Sequence, residues 1–322
     1  MARLIALGAV SLALGLALTP LVRRFALRTG TLDRPGALKR HTEPVPYLGG
    51  VAVLGAMAPG IVMARPAIAI PLVAATTLGV LDDRSPLSPW VRLVGEVVVG
   101  IAIAALVPTP LGGPAGWLLV VLATVVLING VNLLDGIDGL ATGVGAVAAL
   151  SLAFLLRGAG RELAVTLAFA LVAFLVFNWA PARIYLGDGG AYLIGACLTA
   201  LVASAWHAPA AGRWHAPTVV AALCAVGVPA AELAFAVVRR VRGRSSLTQG
   251  DRRHPYDLLA ASGWSVPAAA GAYIVAEAVV AVPAVVLAHR SAGPVIVWAV
   301  VCAIGLVAAA ARIGSLSAPS SP

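Results

Sequence analysis

Long apolar runs separated by short polar joints make up almost the whole chain. Eleven such runs fall at about 4–22, 47–64, 66–81, 93–107, 115–134, 137–157, 162–180, 190–206, 217–238, 266–288 and 293–311. As helices they approach or reach the roughly 20 residues needed to cross a bilayer. They are continuous Ala, Val and Leu without the two-residue alternation of an outer-membrane strand, so each is predicted helical. The first run ends in Thr19-Pro20 before Arg23 and Arg24, with no small-residue cleavage site, and reads as a retained helix instead of a secretory leader.

Composition turns these helices into membrane spans. Of 322 residues, 61% are hydrophobic and only 11% charged, too little polar surface to cover a soluble fold. The expected fold is an all-α polytopic membrane protein of about eleven transmembrane helices. Residues 1–312 form one integral domain, followed by a short Ser/Pro-rich tail, 313–322, expected to be disordered. Cys197, Cys224 and Cys302 all fall inside spans, where a thiol packs as a small apolar group, and imply neither a disulfide framework nor a thiolate metal site.

Charge sets the orientation. With eleven spans and the N-terminus outside, the loops at 23–46, 82–92, 135–136, 181–189 and 239–265 together with the tail hold 16 of the 22 Lys and Arg residues. Arg3, Arg65, Arg157, Arg161, Arg213 and Arg290 fall on the other side. The positive-inside rule makes the richer side, and the C-terminus with it, cytoplasmic, in the inner (plasma) membrane. The net charge of +9 is then an orientation signal and an attraction to anionic lipid, and no nucleic-acid partner is expected.

The aspartates carry a second asymmetry. All eight, Asp33, Asp82, Asp83, Asp135, Asp138, Asp188, Asp251 and Asp257, lie in or at the edge of the same loops. Acidic residues contribute little to orientation, so this clustering needs another cause. In LINGVNLLDGIDGLATG, residues 127–143, Asn129, Asn132, Asp135 and Asp138 recur every three residues, and Gly136 and Gly139 are expected to break the helix. An ionised side chain in a span costs about 2.5–3.5 kcal/mol on insertion scales. Two so close also repel, which points to a cation or metal-polyphosphate site; a plain hydrophilic turn would use Asp-Gly too.

LDDR puts Asp82 and Asp83 at the end of an apolar run, and LGDGG puts Asp188 between glycines at the start of another. Either is weak alone, since a solvated cap or a loop uses the same residues. Together they suit a hard divalent ion, because Mg²⁺ needs only one or two carboxylates beside substrate phosphates and water. DRRHPYDLL, residues 251–259, sets Arg252, Arg253 and His254 beside two aspartates, a pattern suited to gripping a diphosphate, although His254 singly could be an inert loop residue.

In order along the chain, DRPGALKRHTEPVPYLGG, LDDR, NGVNLLDGIDGLATG, NWAPARIYLGDGG and DRRHPYDLLAASGWS resemble the motifs of the polyprenyl-phosphate N-acetylhexosamine-1-phosphate transferases, the glycosyltransferase 4 family of MraY-like and WecA-like enzymes. The resemblance implies transfer of a sugar-1-phosphate from a UDP-sugar to a polyprenyl phosphate at the cytoplasmic face, with release of UMP, in cell-wall or surface-glycan synthesis. It also implies that Asp188, with Asn132 as a neutral oxygen ligand, holds Mg²⁺, for which Mn²⁺ could substitute. Asp82 and Asp83 would stand by the polyprenyl phosphate, as base or positioning groups. Asp135 and Asp138 would order the metal's waters and the nucleotide. His254, Arg252 and Arg253 would grip the diphosphate, and Lys39 and Arg40 would meet either phosphate. Asn178 matches a family position as a substrate contact or as a brace of its turn.

The chain also departs from the family. His254-Pro255-Tyr256-Asp257 stands where WecA-like members show His-x-His-His, Gly190 stands where serine is usual, and the Asp-Asp motif lacks a further downstream aspartate. Two other readings remain: a transporter, resting on Glu96, Glu232 and Glu277 within spans, or a relative that only binds polyprenyl phosphate. A homodimer is compatible with the pattern.

Overall fold

Every one of the eleven apolar runs lies under a helix in the computed structural model of the chain. The structure describes all residues except 35–42, 108, 110–112, 207–215, 247–251 and 318–322. The helices are α1 (Ala2–Thr29), α2 (Gly49–Ala64), α3 (Ala69–Arg84), α4 (Pro89–Leu106), α5 (Gly113–Leu134), α6 (Leu140–Leu155), α7 (Gly158–Asn178), α8 (Gly187–Ala205), α9 (Ala216–Cys224), α10 (Gly227–Arg242), α11 (Pro255–Ala261), α12 (Val266–Ala288) and α13 (Ala292–Arg312). Two short strands, β1 (Leu32–Asp33) and β2 (Val45–Pro46), pair antiparallel.

Among the described residues, eight helices are long and apolar enough to span a membrane, α3 being counted with the 3₁₀ turn before it. A ninth span results if α9 and α10, bent by 64° at their break, count as one. The other two runs correspond to α2 and α6, each of 16 residues. At ~1.5 Å per residue such a helix is ~24 Å long, short of the ~30 Å hydrocarbon core. The helix breaks at Asp135–Gly139, where Gly136 and Gly139 predict it: α5 ends at Leu134, and Gly139 takes φ 77° before α6.

α8 is the axis of the bundle and almost wholly buried, whereas most valines and isoleucines of α13 face outward. α3 lies directly against α8 because both use glycine at the crossing: a Cβ on Gly79 would stand 2.3 Å from the Asp188 carbonyl oxygen. That closeness brings the end of α3, with Asp82 and Asp83, to the start of α8. The Gly49 and Gly50 N–H groups donate to the Tyr185 and Leu186 carbonyls, so the start of α2 is stitched to the same place. Arg3 pairs with Glu162 at 2.9 Å at the opposite end of the bundle, and Arg23 Nε donates to the Arg183 carbonyl at the aspartate end.

Packing continues past residue 312. Ser315 is fully buried, and Arg239 donates to its carbonyl and hydroxyl at 3.2 and 3.4 Å. Residues 313–317, the described part of the tail, are thus held against α10 through Ser315.

Candidate active site

A helix start leaves its first backbone N–H groups without partners and favours negative charge. At α8 the Asp188 and Gly189 N–H groups donate to Asp83 Oδ1 and Oδ2 at 3.1 and 3.2 Å, and the Gly187 N–H donates to Asp135. Two carboxylates, one from the end of α3 and one from the turn after α5, thus meet over one helix terminus. Asp188, in the first turn of α8, accepts from Asn132 Nδ2 at 3.0 Å and is hydrogen-bonded to Asp82.

Asp82 is buried and held by three donors. Arg92 Nη1 lies at 3.3 Å, the Tyr192 hydroxyl at 3.0 Å and the Leu87 N–H at 2.8 Å. Asp138 Oδ2 accepts the Ala182 N–H at 2.8 Å, tying the Asp-Gly turn to the loop after α7. Asn132 and Asn129, one turn apart on α5, take different partners: Asn129 Nδ2 donates to Glu96 Oε2 at 2.7 Å.

The site is electrostatically loaded. Burial first, then the charges of Asp188 and Asp83, push the Asp135 carboxyl well above the ordinary carboxylate range, against the lowering effect of the Gly187 N–H. Asp82 and Asp188 are thus two carboxyl groups in hydrogen-bond contact. The donors are hard oxygens, as Mg²⁺ prefers. Among the described residues no three His, Cys, Asp or Glu side chains are grouped so as to hold a metal ion by themselves.

The other expected residues divide. His254 is buried; its Nδ1 pairs with Glu232 Oε1 at 2.7 Å, and its ring stacks on Tyr256 at 5.3 Å. Tyr256 in turn donates to the Leu133 carbonyl at 2.9 Å, so the histidine loop rests against the end of α5, next to Asn132. Arg252 is exposed and Arg253 half-buried in the same loop. Lys39 and Arg40 lie outside the described residues. Asn178 is buried with both ends taken, its Nδ2 donating to the Ile184 carbonyl at 3.1 Å and its Oδ1 accepting from Thr142 Oγ1 at 2.7 Å. Of the two roles expected of Asn178, these bonds are those of a brace for its turn.

Sequence reasoning missed Tyr192, Arg92, Glu232 and Tyr256 as partners of the site. Tyr192 was accessible, standing one helical turn beyond Asp188 on the same face. Glu232 carried no signal, because an acid inside an apolar run looks the same whether it braces a helix or holds a histidine.

With this geometry in hand, comparison with known proteins identifies the chain. Residues 66–205, from the turn before α3 to the end of α8, match Glycosyl transferase family 4, and the chain belongs to that family. It is 30% identical over 288 residues to a Bacillus subtilis protein named probable undecaprenyl-phosphate N-acetylglucosaminyl 1-phosphate transferase, covering 82% of this chain and 79% of the relative. The decaprenyl-phosphate N-acetylglucosaminephosphotransferase of Mycolicibacterium smegmatis is 29% identical, with 76% and 72% of the two chains covered. The undecaprenyl-phosphate alpha-N-acetylglucosaminyl 1-phosphate transferase of Yersinia pestis is 27% identical, with 76% and 73% covered.

Proposed function

We propose that this protein transfers an N-acetylhexosamine-1-phosphate from a UDP-sugar to a polyprenyl phosphate at the cytoplasmic face of the plasma membrane, releasing UMP. The observation that carries the reading is the convergence of Asp82, Asp83, Asp135 and Asp188 with Asn132 at the start of α8. That end also carries Arg23, Arg183 and the arginines of α10, which the positive-inside rule assigns to the cytoplasm.

A phosphate oxygen of the lipid attacks the sugar-bearing phosphorus of the diphosphate, the bond to the UMP oxygen breaks, and a sugar diphospholipid remains. Phosphoryl transfer of this kind draws its acceleration from positioning and charge neutralisation. Bound Mg²⁺ would supply the neutralisation at the diphosphate, held by Asp188 with Asn132. Asp83 fixes the approach of the lipid phosphate beside α8. Deprotonation is secondary, since a phosphate monoester with a second pKa near ~6 is already mostly dianionic at neutral pH. Asp82, held by Arg92 and Tyr192, positions Asp188. Asp135 and Asp138 order the nucleotide side. Arg252, Arg253 and His254 meet the diphosphate from the loop, and Lys39 and Arg40 neutralise phosphate on the side of α2.

The test is direct. Purified protein receives polyprenyl phosphate, Mg²⁺ and a panel of UDP-sugars, and UMP release is measured. Release with at least one N-acetylhexosamine donor is expected; none with any donor would leave binding or transport instead.

A further inference from the structure

A groove of about 490 Å³ runs between the ends of α1, α2 and α3, on the outside of the bundle. α1 contributes Leu21 and Phe25 and α2 contributes Val51, all three exposed where a spanning helix meets lipid. Leu48 is the buried floor, and Val80 of α3 is the inner wall. The backbone at Leu48 takes φ 111°, a region that favours glycine and strains a leucine. Its neighbours hold it there, since the Gly49 and Gly50 N–H groups are tied to the Tyr185 and Leu186 carbonyls. The strained position keeps an apolar side chain under the groove.

The lining is apolar except at one end, which Arg84 closes. A second guanidinium belongs to the same end. Leu21, Phe25 and Arg28 stand at i, i+4 and i+7 on α1, so the stripe that walls the groove ends in the exposed Arg28 of the last helical turn. Among the described residues no carboxylate or amide lines the groove. Asp83, next to Arg84, turns both oxygens to the Asp188 and Gly189 N–H groups instead. A phosphate lodged here would therefore meet arginine, and neither Asp188 nor Asn132, to which the proposed reaction gives the metal.

We infer that this groove binds one anionic phospholipid of the surrounding bilayer, with an acyl chain along Leu21, Phe25 and Val51 and the phosphate between Arg28 and Arg84. Arginine suits a phosphate oxygen pair, and basic pockets between spanning helices take anionic headgroups from the cytoplasmic leaflet, the leaflet to which the proposed orientation turns this end. The lipid has a mechanical effect on the site. A Cβ on Gly189 would stand 2.7 Å from Val80 Cγ2, so the wall of the groove lies directly against the start of α8, and an occupant braces the crossing that sets Asp83 on that helix terminus. The inference uses the membrane orientation and not the transfer reaction.

The test needs no turnover. Full-length protein, purified in detergent and stripped of lipid, is given phosphatidylglycerol or phosphatidylcholine with the same acyl chains, and bound lipid is counted by native mass spectrometry while thermal unfolding is followed. One phosphatidylglycerol should be retained, and the thermal midpoint should rise by about 3 °C or more over that with phosphatidylcholine. Arg28→Gln with Arg84→Gln should abolish the difference, whereas Arg157→Gln with Arg290→Gln, which removes equal charge at the opposite end, should keep it. Val51→Trp, which fills the groove and leaves both arginines, should also abolish it without lowering the lipid-free midpoint. Polyprenyl phosphate added in equal amount should leave the phosphatidylglycerol bound. Equal shifts from the two phospholipids, or a difference that survives in both groove variants, would overturn the inference. Displacement by polyprenyl phosphate would overturn it too, by giving the groove to the acceptor lipid.

Discussion

The carboxylate cluster at the start of α8 and the histidine pocket beneath α11 sit on neighbouring turns yet solve opposite problems. In the cluster, the leading charges on Asp83, Asp135 and Asp188 are other aspartates, relieved in part by backbone N–H groups and Asn132. In the pocket, each acid has its own partner: Glu232 with His254 and Tyr273, Glu277 with the Val228 N–H. The first region stores unfavourable electrostatics that an incoming cation and substrate would discharge, whereas in the second the acids pair with donors from other helices, save for the buried Glu277 Oε1. Substitutions should therefore cost activity without stability in the cluster, and stability as well in braced positions.

The largest effect is expected at Asp188. Asp188→Ala should cut UMP release by at least ~10³-fold, since metal stabilisation is worth several kcal/mol and each ~1.4 kcal/mol is a decade in rate. Its metal-free thermal midpoint should not fall. A stability loss without an activity loss would erase the contrast between the two regions.

Asp135 gives the contrast a pH signature. Its carboxyl is raised above the ordinary 3.8, so the folded state binds that proton more tightly than the unfolded one. The metal-free protein should then lose stability as pH rises above the unfolded value, until the folded carboxyl has ionised. Asp135→Asn should flatten that decline and raise the metal-free midpoint at neutral pH. Thermal scans from pH 4 to 8 with EDTA or Mg²⁺ check it, and Mg²⁺ should restore wild-type stability at the upper end.

Asn178→Ala should act as a brace loss. Leaving Thr142 Oγ1 and the Ile184 carbonyl unpaired in a buried site costs about 1–3 kcal/mol, read as a lowered thermal midpoint with activity per folded molecule largely kept. The smallest effect is expected for Asp257→His, which restores a family-like histidine in the first turn of α11. UMP release should be retained or raised; a loss would show that the altered loop has a role of its own.

Most of the architecture was legible because apolar runs and their glycine breaks have one reading in a bilayer. The order of the motifs brought Asp82, Asp83, Asn132, Asp135 and Asp188 to one place, as the sequence implied, because glycine lets α3 close on α8. What stayed hidden were partnerships across distant elements. Glu232 and His254 are 22 residues apart on different segments, and nothing in an apolar helix marks which face an acid takes. Asn178 matched a family position compatible with a substrate contact or a brace, and only the structure shows its bonds to Thr142 and to the Ile184 carbonyl. Composition at the tail likewise carried no sign of the bond from Arg239 to the Ser315 carbonyl.

That last contact has a practical side. Ser315 accepts from Arg239 of α10 and its hydroxyl reaches the Arg253 carbonyl beside His254, so whatever is fused downstream of Leu316 hangs from the loop that carries His254. An affinity handle placed there would pull on that loop, whereas one at Met1, across the bundle near Glu162, would leave it undisturbed.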